Sequence, residues 1–246
     1  MTDHAPAFAD AVERIEPCPG GIADDGAPGS DSVQALARWW QRVGSGPRRI
    51  PAWIQVSGDG AVAGVAAAER AVDAGANLLI PRPDRATSDL EARAVIAVLT
   101  HRDAAAVVDQ VPGMTDAEWM RDATVVRDRI AALIPLRGEP RDLVHACQDP
   151  AIADLVGVLI GAASRRTPCL VDGLRVMAAA VVADRLSPAA CGWWRAASTS
   201  ADPAWLAAVD RIELDPGLPL SISADDGSAA RATLVLLDLE SAPDVD

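Results

Sequence analysis

The segment RRTPCLVDGLRVMAAAVVADRLSPAACGWW, residues 165–194, decides the fold of this chain. Its apolar run Cys169–Val171 has the length and composition of a short buried strand. The stretch 173–186 follows at once, and its apolar surface, VMAAAVV, predicts a helix that is buried between layers. A strand that leads directly into a buried helix is a building unit of α/β domains.

The same alternation continues on both sides of this segment. Further strands are predicted at 51–56 (PAWIQV), 77–80 (NLLI) and 104–108. Further helices are predicted at 61–74, 88–99, 115–133, 149–165, 203–209 and 229–239. Strands that alternate with helices indicate an α/β fold, a Rossmann-like parallel sheet with helices on both faces.

The chain divides into three regions by composition. Residues 1–31 are rich in Gly, Pro, Ala and Asp with little apolar periodicity, and we expect a flexible leader there. The α/β domain is expected over 32–240, beginning with a helix that Asp31 and Ser32 can cap. Residues 241–246 read as an acidic tail.

Charge and cysteine usage exclude several classes of protein. The net charge of -13 argues against a nucleic-acid groove, which needs clustered Lys and Arg. No apolar run is long enough for a membrane helix, and the acidic N-terminus is no secretory signal, so we expect a cytoplasmic protein. The four cysteines form no CxxC pair, which argues against structural zinc and a dense disulfide framework and predicts free thiols. We expect neither a metal nor a cofactor.

Two segments are candidates for chemistry on their residues alone. Asp225 and Asp226, followed by Gly227 and Ser228, are adjacent carboxylates that repel, which can raise one pKa towards that of a general base. The same residues equally suit the cap and first turn of a helix. The segment SGDGAVAG, 57–64, is interpreted as a helix start, with a phosphate site as the alternative.

The pattern of 165–194 is similar to that of a known family. Pro168, Asp172, Gly173, the alanines of 178–180 and Pro188 match a strand ending in Pro-x-x-x-Asp-Gly, an Ala-rich helix, a Pro and an aromatic strand. They resemble the nicotinate-nucleotide:dimethylbenzimidazole phosphoribosyltransferases, the CobT-like family. The similarity extends over about residues 60–240, through the segments 71–80, 113–121, 214–216 and 225–229.

The resemblance implies a definite reaction and partners. In that family a carboxylate takes a proton from a benzimidazole nitrogen, which attacks C1′ of nicotinate mononucleotide. Nicotinate leaves, and α-ribazole phosphate, the precursor of the cobalamin lower ligand, is formed. The small-molecule ligands implied are therefore nicotinate mononucleotide and dimethylbenzimidazole. The family is typically homodimeric, so a homodimer, or a heterodimer with an intact paralogue, is expected.

The family's motifs carry candidate site residues over to this chain. The general-base Glu of Gly-Glu-Gly-Thr-Gly falls at Asp226, followed by Gly227 and Ser228. Gly113, Asp172 and Gly173 fall in the matching segments before the helices. The resemblance thus implies Asp226 as the base and the other five residues as substrate contacts.

The counterpart of the family's phosphate loop, Gly-Glu-Met-Gly-Ile-Gly-Asn-Thr-Thr, is RPDRATSDL at 82–90. All three glycines are absent, so the close backbone approach that glycine permits is not assured. Thr87 and Ser88 retain the polar end of the loop, and Arg82 and Arg85 offer another geometry for a phosphate.

Other positions also lack the residues that the family has there. A family lysine falls at Asp122, a Gly-Gly pair at Gln148-Asp149, and a His-Arg-Ser segment at 198–200. The chain is also shorter than usual on its N-terminal side, which predicts a reduced small domain. We therefore favour a pseudoenzyme with a binding, regulatory or assembly role over an active phosphoribosyltransferase that uses Asp226 with Arg82 or Arg85.

The tryptophans of the N-terminal third leave one question open. Trp39, Trp40 and Trp53 either replace part of the base pocket or pack the core, and core packing is favoured because the chain has a single Phe.

Overall fold

The fold is built on four short parallel strands in chain order. The computed structural model describes residues 5–19, 32–46, 48–84, 88–222 and 226–240. The strands are β1 (Pro51–Val56), β2 (Leu78–Pro83), β3 (Cys169–Val171) and β4 (Trp194–Ala196), in the order β1-β2-β3-β4. β1 lies at an edge and is only half-buried, which permits Pro51 at its first position, whereas β3 and β4 are wholly buried.

Ten helices of the described residues surround this sheet. They are α1 (Ala5–Glu13), α2 (Ser32–Val43), α3 (Ala61–Asp73), α4 (Leu90–Thr100), α5 (Asp116–Leu133), α6 (Pro140–Ala146), α7 (Pro150–Ser164), α8 (Leu174–Leu186), α9 (Pro203–Ile212) and α10 (Ser228–Glu240). The predicted α/β class with a parallel sheet is confirmed. The expected burial of α8 is also confirmed, because every residue from Leu174 to Asp184 is buried.

The helices divide between the faces of the sheet. Since the strands follow chain order, right-handed crossovers bring α3, α7 and α8 to one face, where they pack on one another. α2 and α10 pack together and reach the chain at β4: Arg195 donates to the carbonyl of Ala35 at 3.5 Å, and Thr233 donates to that of Ala197 at 2.8 Å.

α3 and α7 approach until their backbones touch. A Cβ added at Gly64 would overlap the carbonyl oxygen of Asp154, and one at Gly157 would overlap that of Ala61. Glycine is therefore required at both positions for steric reasons, whatever the local backbone angles. This contact fixes the start of α3 against the first turns of α7.

Two local predictions were wrong. The strand predicted at 104–108 is a 3-10 turn, Ala104–Ala106, because the Asp103 carboxylate accepts a hydrogen bond from the N–H of Ala106 at 2.9 Å and closes the chain into a turn. Helix α6 was not predicted; Pro140 begins it at a position where a missing N–H costs nothing.

The expected leader also differs from the structure over residues 5–19. Phe8, Ala11, Val12 and Ile15 repeat at helical spacing, and Ala11 is fully buried against the core. The indole Nε1–H of Trp193 then donates to the carbonyl of Glu16 at 2.9 Å and fixes the end of this segment. Most of the remaining leader, 20–31, and the acidic tail, 241–246, lie outside the described residues.

The described cysteines and the first tryptophan pair belong to the core. Cys18, Cys169 and Cys191 are buried, Cys147 is half-buried, and all four are free thiols. Trp39 and Trp40 are also buried, as the favoured interpretation expected. Trp53 differs from them: it is half-buried, and the guanidinium carbon of Arg82 lies 5.9 Å from the centroid of its ring.

Candidate ligand site at the carboxyl edge of the sheet

The carboxyl ends of the strands define where a ligand can bind. In parallel α/β sheets, ligands bind in the crevice outside this edge, where the loops that follow the strands converge. β3 ends at Val171 and is followed directly by Asp172 and Gly173. These two residues therefore occupy the position that the resemblance predicted for them.

Asp172 joins this edge to the last helix. The side chain is buried, and its Oδ2 accepts a hydrogen bond from the N–H of Ala230 in the first turn of α10 at 2.9 Å. A carboxylate at a helix N-terminus is stabilised by the helix dipole. The contact brings Asp226, Gly227 and Ser228, which begin α10, to the end of β3.

Asp226 lies two residues before Ser228, the first residue of α10. Its Oδ1 accepts a hydrogen bond from the N–H of Ser228 at 2.8 Å, and the side chain is otherwise exposed. Hydrogen bonds from Ser228 lower the pKa of Asp226 below its ordinary value, and the charge of Arg231 acts in the same direction. Asp225, the other carboxylate of the predicted pair, lies outside the described residues.

A cluster of two arginines and one tryptophan lies beside Asp226. The guanidinium carbon of Arg82 is 5.9 Å from the centroid of the Trp53 ring, and that of Arg231 is 5.0 Å from it. Gly227 is packed against the same indole, since a Cβ there would lie 2.6 Å from Cζ3 of Trp53. Trp53, Arg82, Gly227 and Arg231 thus form one contiguous group, which we call the Trp53 cluster.

The other residues of the loop 82–90 are only partly described. Ser88 is exposed, and its Oγ accepts a hydrogen bond from the N–H of Leu90 at 3.4 Å, as at a helix start. Arg85 and Thr87 lie outside the described residues. Gly113 lies in an exposed turn before α5, where its φ is +92°, apart from the residues that the structure joins at α10.

The start of α4, next to this loop, is held by a buried arginine. Arg93 donates to the two carboxylate oxygens of Asp202 at 3.1 and 2.6 Å and to the carbonyl of Val107 at 2.6 Å. It also pairs with Asp89 at 2.9 Å. Because Asp202 caps α9, this arginine couples the starts of α4 and α9 at the same edge.

The glycine-rich turn 57–64 is a helix start and its amides are already occupied. The carboxylate of Asp154, on α7 and 3% exposed, accepts hydrogen bonds from the N–H groups of Gly58 at 2.8 Å and Asp59 at 3.0 Å, and also from that of Gly60. An internal carboxylate therefore occupies the three N–H groups that directly precede α3.

A second carboxylate occupies the position of the family's Gly-Gly pair. Asp149 caps α7 by accepting a hydrogen bond from the N–H of Ala151 at 3.1 Å. Its other oxygen lies 3.6 Å from Nη1 of Arg175, which is buried at the start of α8. The substitution thus gives α7 a cap and a charge partner where two glycines would give open backbone.

The described part of the chain offers neither a metal site nor a membrane span. No group of three or more His, Cys, Asp or Glu side chains there could hold a metal ion. No described helix combines the length and the hydropathy needed to cross a bilayer.

Comparison with known proteins shows the family of the chain. A family model described as Phosphoribosyltransferase, DBI_PRT, matches residues 59–242. The nicotinate-nucleotide--dimethylbenzimidazole phosphoribosyltransferase of Mycobacterium leprae (strain Br4923) is 36% identical over 176 residues, which cover 72% of this chain and 50% of the relative. The chain belongs to this phosphoribosyltransferase family. The enzyme of the same name from Mycobacterium tuberculosis (strain ATCC 25618 / H37Rv) is 37% identical over 175 residues, which cover 71% of this chain and 48% of the relative.

A solved structure supports the family at the level of the fold. The crystal structure of CobT from Thermus thermophilus superposes with a TM-score of 0.66 at 25% sequence identity, and the match covers 74% of this chain and 54% of that one. The chain thus spans about half the length of the curated relatives it matches.

Two residues of this region were missed by sequence reasoning. Asp154 lies within an apolar helix and gave no signal of its own, because its partners are 94 to 96 positions away. Arg231 follows Asp226 by five positions, so a helix beginning at Ser228 places it one turn further along. For Trp53 the sequence left a base pocket and core packing open and favoured the core; the ring does pack against the core, and its strand pairs with the one that carries Arg82.

Proposed function

We propose that this phosphoribosyltransferase relative binds nicotinate mononucleotide and dimethylbenzimidazole at the carboxyl edge of its sheet but has lost efficient transfer. The names of its relatives supply the two substrates. The observation that carries the loss of transfer is the state of Asp226, whose carboxylate oxygen is hydrogen-bonded to the N–H of Ser228 at 2.8 Å.

The reaction requires a base that this carboxylate supplies poorly. A general base works best when its pKa approaches the operating pH, whereas hydrogen bonds from Ser228 lower the pKa of Asp226. Asp is also one methylene shorter than the family's Glu. A displacement of roughly 1 Å at the reacting centre can reduce the rate by about 100-fold.

The occupied amides support the same conclusion. The N–H groups of Gly58, Asp59 and Gly60 donate to Asp154, so they are not available to a phosphorylated substrate. Asp149, in place of a glycine, adds negative charge and side-chain bulk close to Arg175. Both carboxylates therefore disfavour an anion at these two positions.

A second function is favoured by one observation. The Asp226 carboxylate is exposed, and Arg231 and Trp53 lie beside it, so a flat aromatic base has physical access to it. The alternative is therefore an active phosphoribosyltransferase with a remodelled site that uses Asp226 as its general base.

Turnover and binding assays on the full chain distinguish the two. We expect both ligands to bind by calorimetry, with α-ribazole phosphate formed no faster by the wild type than by Asp226→Asn. Product formation that Asp226→Asn abolishes would establish the active enzyme instead. Restoring the longer side chain with Asp226→Glu is the matched variant, because it tests whether reach alone limits the rate.

The proposed assembly is a homodimer, or a heterodimer with an intact paralogue. Val235 and Leu239 on α10 are 59% and 66% exposed, and a partner surface would cover such apolar side chains. Light scattering of the chain alone tests the homodimer. Elution at the same volume with and without a purified paralogue would exclude the heterodimer.

A further inference from the structure

The Trp53 cluster contains two guanidinium groups. Arg82 donates to Oε1 of Gln55 at 3.3 Å, and Arg231 donates to the backbone carbonyl of Asp226 at 3.1 Å. Within the described part of the chain, neither guanidinium lies within ion-pair distance of a carboxylate, although the charge of Arg231 contributes to lowering the pKa of Asp226.

One donor of Arg82 has no acceptor within the described residues. Its Nε is buried and has no hydrogen-bond acceptor among the described residues. A buried N–H without an acceptor is unfavourable, and two like charges at one ring repel each other. The face of Trp53 attracts each guanidinium, but an indole offers no lone pair that could accept these hydrogen bonds.

We propose that Trp53, Arg82 and Arg231 form a subsite for a phosphate group. A phosphate carries the charge and the several acceptor oxygens that two planar guanidinium groups can share. The arginines lie on different elements, at the end of β2 and in the first turns of α10, so an anion between them would also link these elements.

The subsite replaces backbone recognition by side-chain recognition. The amides before α3 are occupied by Asp154, and the loop 82–90 lacks the glycines that permit close backbone approach. Gly227 is pressed against Trp53 and keeps the ring beside α10. The claim that this subsite binds the phosphate of nicotinate mononucleotide rests on the proposed function. The claim that it binds a phosphate group does not.

Inorganic phosphate is the probe that tests the subsite by itself. We expect saturable binding to the full-length wild type at low ionic strength, measured by calorimetry. Arg82→Gln and Arg231→Gln should each weaken it by about 10-fold to 100-fold, because each removes a charge-assisted contact. Arg231→Lys should retain part of the affinity. Arg102→Gln, at an exposed position after α4, is the control and should bind like the wild type.

The outcomes separate this inference from the proposed function. Lack of saturable phosphate binding by the wild type would overturn the subsite, as would Gln variants that bind as tightly as the wild type or a control that weakens equally. Circular dichroism shows whether each variant is folded, and Arg231→Gln, on the surface, carries the test if Arg82→Gln does not fold. If phosphate binds through both arginines while nicotinate mononucleotide does not bind, the subsite stands and the proposed function fails.

Discussion

Removal of the Asp154 carboxylate is the perturbation whose size the structure defines best. Its Oδ2 accepts two backbone N–H groups at 2.8 and 3.0 Å, and its Oδ1 accepts a third. A hydrogen bond to a charged group contributes about 1.5–3 kcal/mol, and part of that sum offsets the desolvation of a buried carboxylate. For Asp154→Ala we therefore expect a loss of about 3–5 kcal/mol in the free energy of unfolding.

The isosteric variant refines this estimate. In Asp154→Asn the amide oxygen can replace Oδ2 and keep the N–H groups of Gly58 and Asp59, but the NH₂ group then faces the N–H of Gly60. The expected loss is about 1.5–3 kcal/mol, the value of one charged hydrogen bond. Asp128→Ala removes a carboxylate from an exposed pair with Arg127 and serves as the control, with no measurable change expected.

Urea unfolding of the three variants at neutral pH measures these differences. A loss below about 1 kcal/mol for Asp154→Ala would refute the reasoning, because the amides before α3 would then not depend on this carboxylate. Equal losses of unfolding free energy for the Asn and Ala variants would show that Oδ2 does not hold the N–H groups of Gly58 and Asp59 as described.

Three further predictions concern the packing around the site. Gly157→Ala places a Cβ into the backbone of α3, and we expect at least about 3 kcal/mol of destabilisation, or an insoluble protein, in denaturant unfolding. Arg93→Ala leaves Asp202 buried without its partner at 2.6 Å and should cost about 3–5 kcal/mol by the same measurement, whereas a loss under about 1 kcal/mol would show that α4 and α9 are not coupled through it. Burial raises the pKa of Cys147 and of Cys191 to about 12, so both thiols stay protonated near pH 8 and should react with Ellman's reagent only after unfolding; rapid reaction in the native protein would contradict this.

The elements that sequence patterns predicted well are those in which local and tertiary signals agree. The runs at 77–80 and 169–171 are apolar and bounded by Gly, Pro or Asp, and both form buried strands. Thr115 caps α5 with Glu118 in a reciprocal capping box, which local spacing alone specifies. The run at 104–108 failed because Asp103 closes a turn, a local hydrogen bond that competes with a strand.

Only the site residues that lie in a recognised family motif could be predicted from the sequence. Asp172 and Asp226 were placed in one region through the resemblance, and the hydrogen bond from Ala230 to Asp172 explains why they lie together. The role of Asp154 was not predictable, because a buried carboxylate needs hydrogen-bond partners and those of Asp154 lie far away in the sequence, just before α3. The contact between Trp53 and Arg231 was not predictable either, because the two residues are far apart in the sequence.

The most direct test of the central claim is the formation of α-ribazole phosphate from nicotinate mononucleotide and dimethylbenzimidazole by the full chain. The account predicts that wild type and Asp226→Asn give the same background rate while both ligands bind, because the Asp226 carboxylate is held by the N–H of Ser228 at the start of α10. Turnover well above background that disappears in Asp226→Asn would contradict it and would establish Asp226 as a working general base.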